Sequence, residues 1–301
     1  MLRILSKKSA IRPGFVFEPF TFILYCDKIS YIYIVKWGSL MGEKIVVKVG
    51  TSTLTYENGR LNLRRMENLC KILCDLQNRG NKLLLVSSGA IGVGMGKLAL
   101  PERPKETKQL QALAAVGQCE LMFMYDKFFG EYNHTVAQIL LTKHVVETQH
   151  KQNNVINTVE TLFDMNILPI VNENDTVAID ELPGENFGDN DMLSAMVASM
   201  IHADRLIILS DIDGLYDKNP KEFPDARLIT SIPKIDDTIF EMAADGAGSN
   251  RGTGGMKTKL SAALHATEAG ITCSIINGSR PENLYDLIEN NAVGTTFAPQ
   301  K

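Results

Sequence analysis

An open α/β fold is the expectation, with a mostly parallel central sheet and helices on both faces. Three observations predict it. From Met41 onward, short apolar strands alternate with longer stretches of helical spacing, the order that parallel strand–helix–strand units need. Runs such as Lys82–Val86 are apolar enough to be buried strands. Polar clusters sit where those strands end, which is where ligands lie in open α/β sheets.

The elements follow in order. Lys44–Val49 is a short strand ending in Gly50. Asn62 is placed to cap a helix in which Met66, Leu69, Leu73 and Leu76 recur at helical spacing, closed near Gly80. Lys82–Val86 runs into Ser87-Ser88-Gly89. Pro101 and Pro104 precede a long helix around Lys108–Phe129, ended by Gly130, and Val136–Leu141 is the next strand. A helix near Gln152–Met165 leads to a strand at Ile167–Val171 and then to the polar stretch Asn172–Asp175. A loop with Pro183 and Gly184 precedes Gly188-Asp189-Asn190-Asp191, and a helix runs from there towards Ile201. Arg205–Leu209 is a strand ending at Ser210-Asp211, Leu260–Ala269 is helical, and Thr272–Ile276 is a strand. Pro281 is expected at the first position of a last helix. No repeat, low-complexity stretch or linker divides residues 41–301, so they are expected to form one domain.

Bulk properties exclude some classes of function. A net charge of −4 argues against a nucleic-acid surface, and no run of like charges suggests an interaction tail. The five cysteines are scattered without metal spacing, which predicts buried thiols in a reducing, cytoplasmic setting. Residues 1–40 are rich in Phe, Ile and Tyr and lack clear periodicity. Their apolar runs, such as Phe20–Cys26, are too short to span a bilayer. Asp27 and Lys28 interrupt what a signal peptide would keep apolar. Met41 opens a natural beginning, so residues 1–40 are expected to be a dispensable extension or an upstream translation artefact.

Four clusters carry chemistry. Gly252-Thr253-Gly254-Gly255-Met256-Lys257-Thr258-Lys259 resembles a phosphate loop, but Met256 stands where a Walker A loop needs Gly. Its glycines still let backbone N–H groups approach an anion, and a helix-forming stretch follows. Lys48-Val49-Gly50-Thr51-Ser52 offers a charge and two hydroxyls at a strand end. Ser87-Ser88-Gly89-Ala90 presents hydroxyls at a helix start, suited to a carboxylate or phosphate. The following Gly94-x-Gly96-x-x-Ala99 mimics a dinucleotide fingerprint, but falls inside a helical segment. The last cluster pairs Asn172-Glu173-Asn174-Asp175 with Gly188-Asp189-Asn190-Asp191, dense enough to grip an amino group, order lysines, or meet Mg2+ through water.

Taken in order, these segments resemble the glutamate 5-kinase branch of the amino acid kinase family. Val47–Ser52, Ser87–Ile91, Ala114-Ala115-Val116-Gly117-Gln118, Val171–Asp175, Gly188–Asp191 and Gly252–Lys259 carry the resemblance, which covers the chain from about Gly42 to Phe297. It implies transfer of the ATP γ-phosphate to the side-chain carboxylate of L-glutamate, the first step of proline synthesis. It implies Lys48 and Lys259 as charge-stabilising catalytic residues, oriented by Asp191. Gly50 and Thr51 would present N–H groups to the phosphate, and Ser88, Asp175 and Asn190 would hold glutamate. Ser210, Asp211, Thr253, Gly254, Gly255, Met256, Lys257, Thr258 and Lys259 would surround the nucleotide, with Mg2+ bridging its phosphates and no protein residue assigned as its direct ligand. Lys257 is expected to face solvent beside the catalytic Lys259. A homo-oligomer and feedback inhibition by proline are also implied, with no nucleic-acid or membrane partner. The chain stops at Lys301, short of the PUA-type domain that many such proteins carry. Kinases of the same fold acting on acetylglutamate, carbamate or uridylate remain alternatives, as does a catalytically silent binding protein. A dehydrogenase would rest on the Gly94–Ala99 mimic alone.

Overall fold

The computed structural model describes residues 21–24, 33–36, 42–177, 190–245 and 255–300. The chain divides into two compact units, Met1–Gly42 and Glu43–Lys301. In the first, β1 (Thr21–Leu24) and β2 (Tyr33–Lys36) pair antiparallel. The Pro183–Gly184 loop, Gly188, Asp189, Thr253 and Gly254 lie outside the described residues.

The second unit opens with β3 (Lys44–Val49), α1 (Thr51–Leu54), α2 (Leu63–Asn78), β4 (Lys82–Ser87), α3 (Ala90–Lys97) and α4 (Thr107–Gly130). Then come β5 (Val136–Leu141), α5 (Lys143–Glu147), α6 (Gln149–Asp164), β6 (Leu168–Glu173), α7 (Asn190–Met200) and β7 (Arg205–Ser210). It ends with β8 (Ser231–Ile232), α8 (Asp237–Asp245), α9 (Met256–Glu268), β9 (Thr272–Asn277), α10 (Asn283–Ile288) and β10 (Thr295–Phe297). The sheet has the order β5-β6-β4-β3-β7-β9-β10-β8. Its pairings are parallel except β9 with β10. Thus the predicted mostly parallel sheet is present, with β10 and β8 at one edge running antiparallel to the other strands.

Period-two alternation builds a core on each face. Ile45, Val47 and Val49 of β3 pack in one cluster with α2 and α4, through Met66, Leu69, Leu73 and Tyr125. Val46 packs in the other, with α6, α7 and α9, through Val159, Leu193 and Leu260. The α2 cap is present: the Asn62 side chain accepts from the Arg65 N–H at 3.1 Å.

Two expectations need correction. The strand expected to end at Val171 runs further: Asn172 and Glu173, expected in the polar stretch beyond it, continue β6, paired with Leu140 and Leu141 of β5. Pro281 does not open a helix. It lies in a turn where its carbonyl accepts from the Leu284 N–H, and α10 begins at Asn283. The thiols also differ in part from expectation. Cys70, Cys74 and Cys273 are buried, but Cys119 is exposed on α4. Burial pushes the Cys74 thiol up to about 12, so it stays protonated and unreactive near neutrality. No helix among the described residues is long and apolar enough to cross a membrane.

The glycines of the apparent dinucleotide fingerprint have a packing role. A Cβ on Gly94 would overlap the Leu113 carbonyl of α4, and one on Gly117 would overlap the Ala90 carbonyl and lie 2.6 Å from the Gly94 nitrogen. Backbone meets backbone here, so α3 and α4 approach more closely than side chains allow. Gly117→Ala should therefore cost about 2–3 kcal/mol of stability. Gly130→Ala, where an added Cβ meets nothing within 4 Å, should change it by about 0.5 kcal/mol or less. Denaturant unfolding of the two variants checks the contrast.

Candidate active site

Strand β3 lies at the middle of the sheet, between β4 and β7. Lys48, near its carboxyl end, shares a strand face with Val46, two residues earlier, and so lies on the side covered by α7 and α9. Asp191 stands in the first turn of α7, where the helix dipole favours a carboxylate. Lys259 lies one turn into α9, whose N-cap is Gly255. The three side chains meet. Lys48 Nζ is 2.6 Å from Asp191 Oδ1, and Lys259 Nζ is 3.0 Å from Oδ2. Their residues are 4%, 0% and 7% exposed for Lys48, Asp191 and Lys259, so the charges act with little water between them.

Burial alone pushes the Asp191 carboxyl up, but the Lys48 and Lys259 charges and their hydrogen bonds outweigh it and hold it below the usual carboxylate value. It therefore stays ionised at neutrality. Its contribution to stability is present above the unfolded value and is lost only as pH falls through the depressed folded one. Two ammonium groups against one carboxylate leave the triad with one surplus positive charge. Such a surplus favours an anion, and most of all an anion whose charge spreads as a bond breaks.

Asn190, adjacent to Asp191, ties the triad to a second polar cluster. Its Nδ2 lies 2.9 Å from the Ser87 carbonyl, from Ser88 Oγ and from Asn172 Oδ1. Two N–H bonds are thus shared among three acceptors. Its other amide atom, Oδ1, is buried with no hydrogen-bond partner among the described residues. Asn172 was part of a motif in the sequence but carried no assigned role; it is 2% exposed and lies inside the cluster. Its signal was there, an amide at the end of a buried strand. Asp175 stands half-buried in the turn beyond β6.

A cavity opens on the other side of the triad, along β7 and the start of α9. Ser210 and Asp211 at the end of β7, Gly255, Met256 and Lys259, all among the residues expected around a nucleotide, line it. Leu215, Tyr216 and Met242 add apolar walls that the sequence did not single out. The signal missed was continuity: the loop after a strand-end Asp keeps running along the same crevice. Lys257 is exposed, as expected, and it and Thr258 are not on the cavity wall. The Thr258 hydroxyl turns back to the Gly255 carbonyl at 2.9 Å. Gly50 follows β3 beside the triad: a Cβ there would stand 3.6 Å from Lys48 Nζ. Thr51 opens α1.

The family model described as amino acid kinase family matches residues 43–277. The chain is 55% identical over 260 residues to a glutamate 5-kinase of Clostridium perfringens, covering 86% of this chain and 96% of that protein. It is 51% identical over 260 residues to a glutamate 5-kinase of Listeria innocua, covering 86% and 94%. Among solved structures, a carbamate kinase from Giardia lamblia bound to AMP-PNP superposes with a TM-score of 0.60 at 17% identity, covering 85% of this chain and 98% of that one, a likeness of fold alone. The parallel sheet, the lysine–carboxylate–lysine triad at its centre and the match over most of its length mean that this chain belongs to the amino acid kinase family.

Proposed function

We propose that this protein transfers the γ-phosphoryl group of ATP to the side-chain carboxylate of L-glutamate, giving γ-glutamyl phosphate. The observation that carries the reading is the pair of buried ammonium groups 2.6 and 3.0 Å from the two oxygens of Asp191. One of them, Lys259, also lines the cavity, and Asn190 leads from Asp191 into the amide cluster. The triad therefore joins a place for a nucleotide to a place for an amino acid. The similarity to proteins named glutamate 5-kinase favours glutamate over the other acceptors of this fold.

The chemistry needs no covalent intermediate on the protein. A glutamate γ-carboxylate oxygen attacks the γ-phosphorus, the bond to the β,γ-bridging oxygen breaks, and ADP leaves. Charge spreads over the phosphoryl oxygens in transit, and catalysis is chiefly positioning and charge neutralisation. Lys48 approaches that group from the sheet and Lys259 from α9. Gly50 and Thr51 offer backbone N–H groups beside Lys48. Asp191 takes no proton; it holds both ammonium groups apart and in place.

On the acceptor side, the buried Asn190 Oδ1 can only accept, which suits the α-ammonium of an amino acid. Ser88 and Asp175 complete the grip on glutamate. On the donor side, Ser210, Asp211 and the start of α9 hold the nucleotide, and its base packs on Leu215, Met242 and Met256. Mg2+ prefers oxygen ligands and keeps several waters; bound to the phosphates it would neutralise their charge. Both oxygens of Asp191 face lysines, so the exposed Asp211 is the carboxylate suited to meet the ion's water shell.

Two outcomes are expected. With ATP, Mg2+, glutamate and hydroxylamine the protein should form γ-glutamyl hydroxamate, which traps the acyl phosphate. Turnover of another acid with none of glutamate would overturn the reading. Lys259→Ala should lower kcat by about 10²–10³-fold while the glutamate KM moves by about threefold or less, because its charge acts on the transition state. Steady-state kinetics with each substrate varied in turn separates the two constants.

A further inference from the structure

The segment Ala114–Gln118 on α4 is part of the family resemblance, yet the proposed mechanism uses none of it. The structure gives one of its residues a task. Asn172 Nδ2 donates to Gln118 Oε1 at 2.8 Å, across 54 residues of sequence. The close approach of α3 and α4 at Gly117 sets the depth at which α4 lies, and the next residue along is Gln118.

The orientation of every amide in this chain of contacts follows from the main chain. A backbone carbonyl can only accept, so the Asn190 atom 2.9 Å from the Ser87 carbonyl is its NH2. A backbone N–H can only donate, so the Asn172 atom 2.9 Å from the Glu173 N–H is its oxygen. That oxygen also accepts from Asn190, and the Asn172 NH2 is therefore turned to Gln118, which must answer with an acceptor. At the far end, the same logic leaves the Asn190 oxygen buried and unpartnered among the described residues. Gln118 closes one end of the series. The Asn190 oxygen stands at the other.

A second contact runs from the same face of α4. Tyr125, seven residues on and fully buried, shares a 2.9 Å hydrogen bond with the Ser87 hydroxyl. Ser87 supplies the carbonyl on which the Asn190 orientation rests.

We propose that Gln118 is a positioning residue for substrate recognition: its amide oxygen fixes Asn172, Asn172 fixes Asn190, and Asn190 Oδ1 is thereby held as an acceptor for the ammonium group of an amino-acid substrate. The assignment rests on the amino-acid reading of the pocket given above. Gln118 touches neither the triad nor the nucleotide cavity in any contact described, so its effect falls on the acceptor substrate.

The test is Gln118→Met, which keeps the length and removes the acceptor, beside Gln118→Glu, which keeps an acceptor at the same reach. For Gln118→Met the glutamate KM should rise roughly tenfold, the loss expected when a buried donor is left unpaired. The ATP KM should stay within about twofold and kcat within about threefold, since the lysines are held by Asp191 itself and not by the amide series. Gln118→Glu should bring the glutamate KM back to within about threefold of wild type, as a retained acceptor predicts. In a double-mutant cycle, adding Gln118→Met to Asn172→Ala should change the glutamate KM no further. KM does not depend on the fraction of folded enzyme, so a loss of stability leaves the readout intact. An unchanged glutamate KM in Gln118→Met, or equal rises in both KM values, overturns the proposal. So does a double variant whose effects simply add. If the wild-type enzyme turns over another amino acid and not glutamate, the glutamate reading fails. The same KM ratios, measured on that amino acid, still decide the role of Gln118.

Discussion

One buried carboxylate organises this protein. Asp191 lies between two lysines that come from distant parts of the chain, and without it they would be two like charges forced together in a dry site. Removing one partner from a buried charge cluster leaves the others uncompensated, which is among the most costly changes a core can suffer. The cluster is a weak source of net stability for the same reason. Its value is geometric: it fixes where two ammonium groups stand relative to β3, α7 and α9.

The rest of the fold serves that placement. β3 is the central strand at which the sheet's order turns in both directions, so its carboxyl end faces a crevice. α7 begins at Asn190, which delivers Asp191 to the lysines and Asn190 to the amide cluster with one stretch of backbone. On the opposite face, the glycine contact between α3 and α4 sets the position of the helix that meets the cluster from behind. Donor and acceptor sides thus share a single rigid junction, which is what phosphoryl transfer by positioning demands.

Much of this was legible in the sequence, for physical reasons that can be named. The strands of the parallel sheet are short apolar runs with buried faces on both sides, and the helix α2 shows plain 3.6-residue periodicity. Lys48, Asp191 and Lys259 received their roles from the family resemblance of the motifs that hold them, because a charged residue at a strand end or helix start is by itself ordinary. β8 and β10 were missed: two and three residues long, they carry too little pattern to separate from loop. Pro281 was misplaced because the residue that suits a first helical turn suits a tight turn equally well. The direction of the amide chain from Gln118 to Asn190 was beyond reach. It depends on which main-chain group each side chain meets, over separations of 54 and 103 residues, and no local pattern encodes that.

The most direct test of the central role of Asp191 is the single-turnover rate of phosphoryl transfer in Asp191→Asn, with both substrates saturating. It should be measured on protein shown by calorimetry still to bind ATP. The isosteric amide keeps the volume and removes the charge that holds the two lysines. The rate should fall by about 10³-fold or more, as expected when preorganised charge is lost from both sides of the transferred group. A rate within about tenfold of wild type, the loss a single modest interaction would give, would contradict the account.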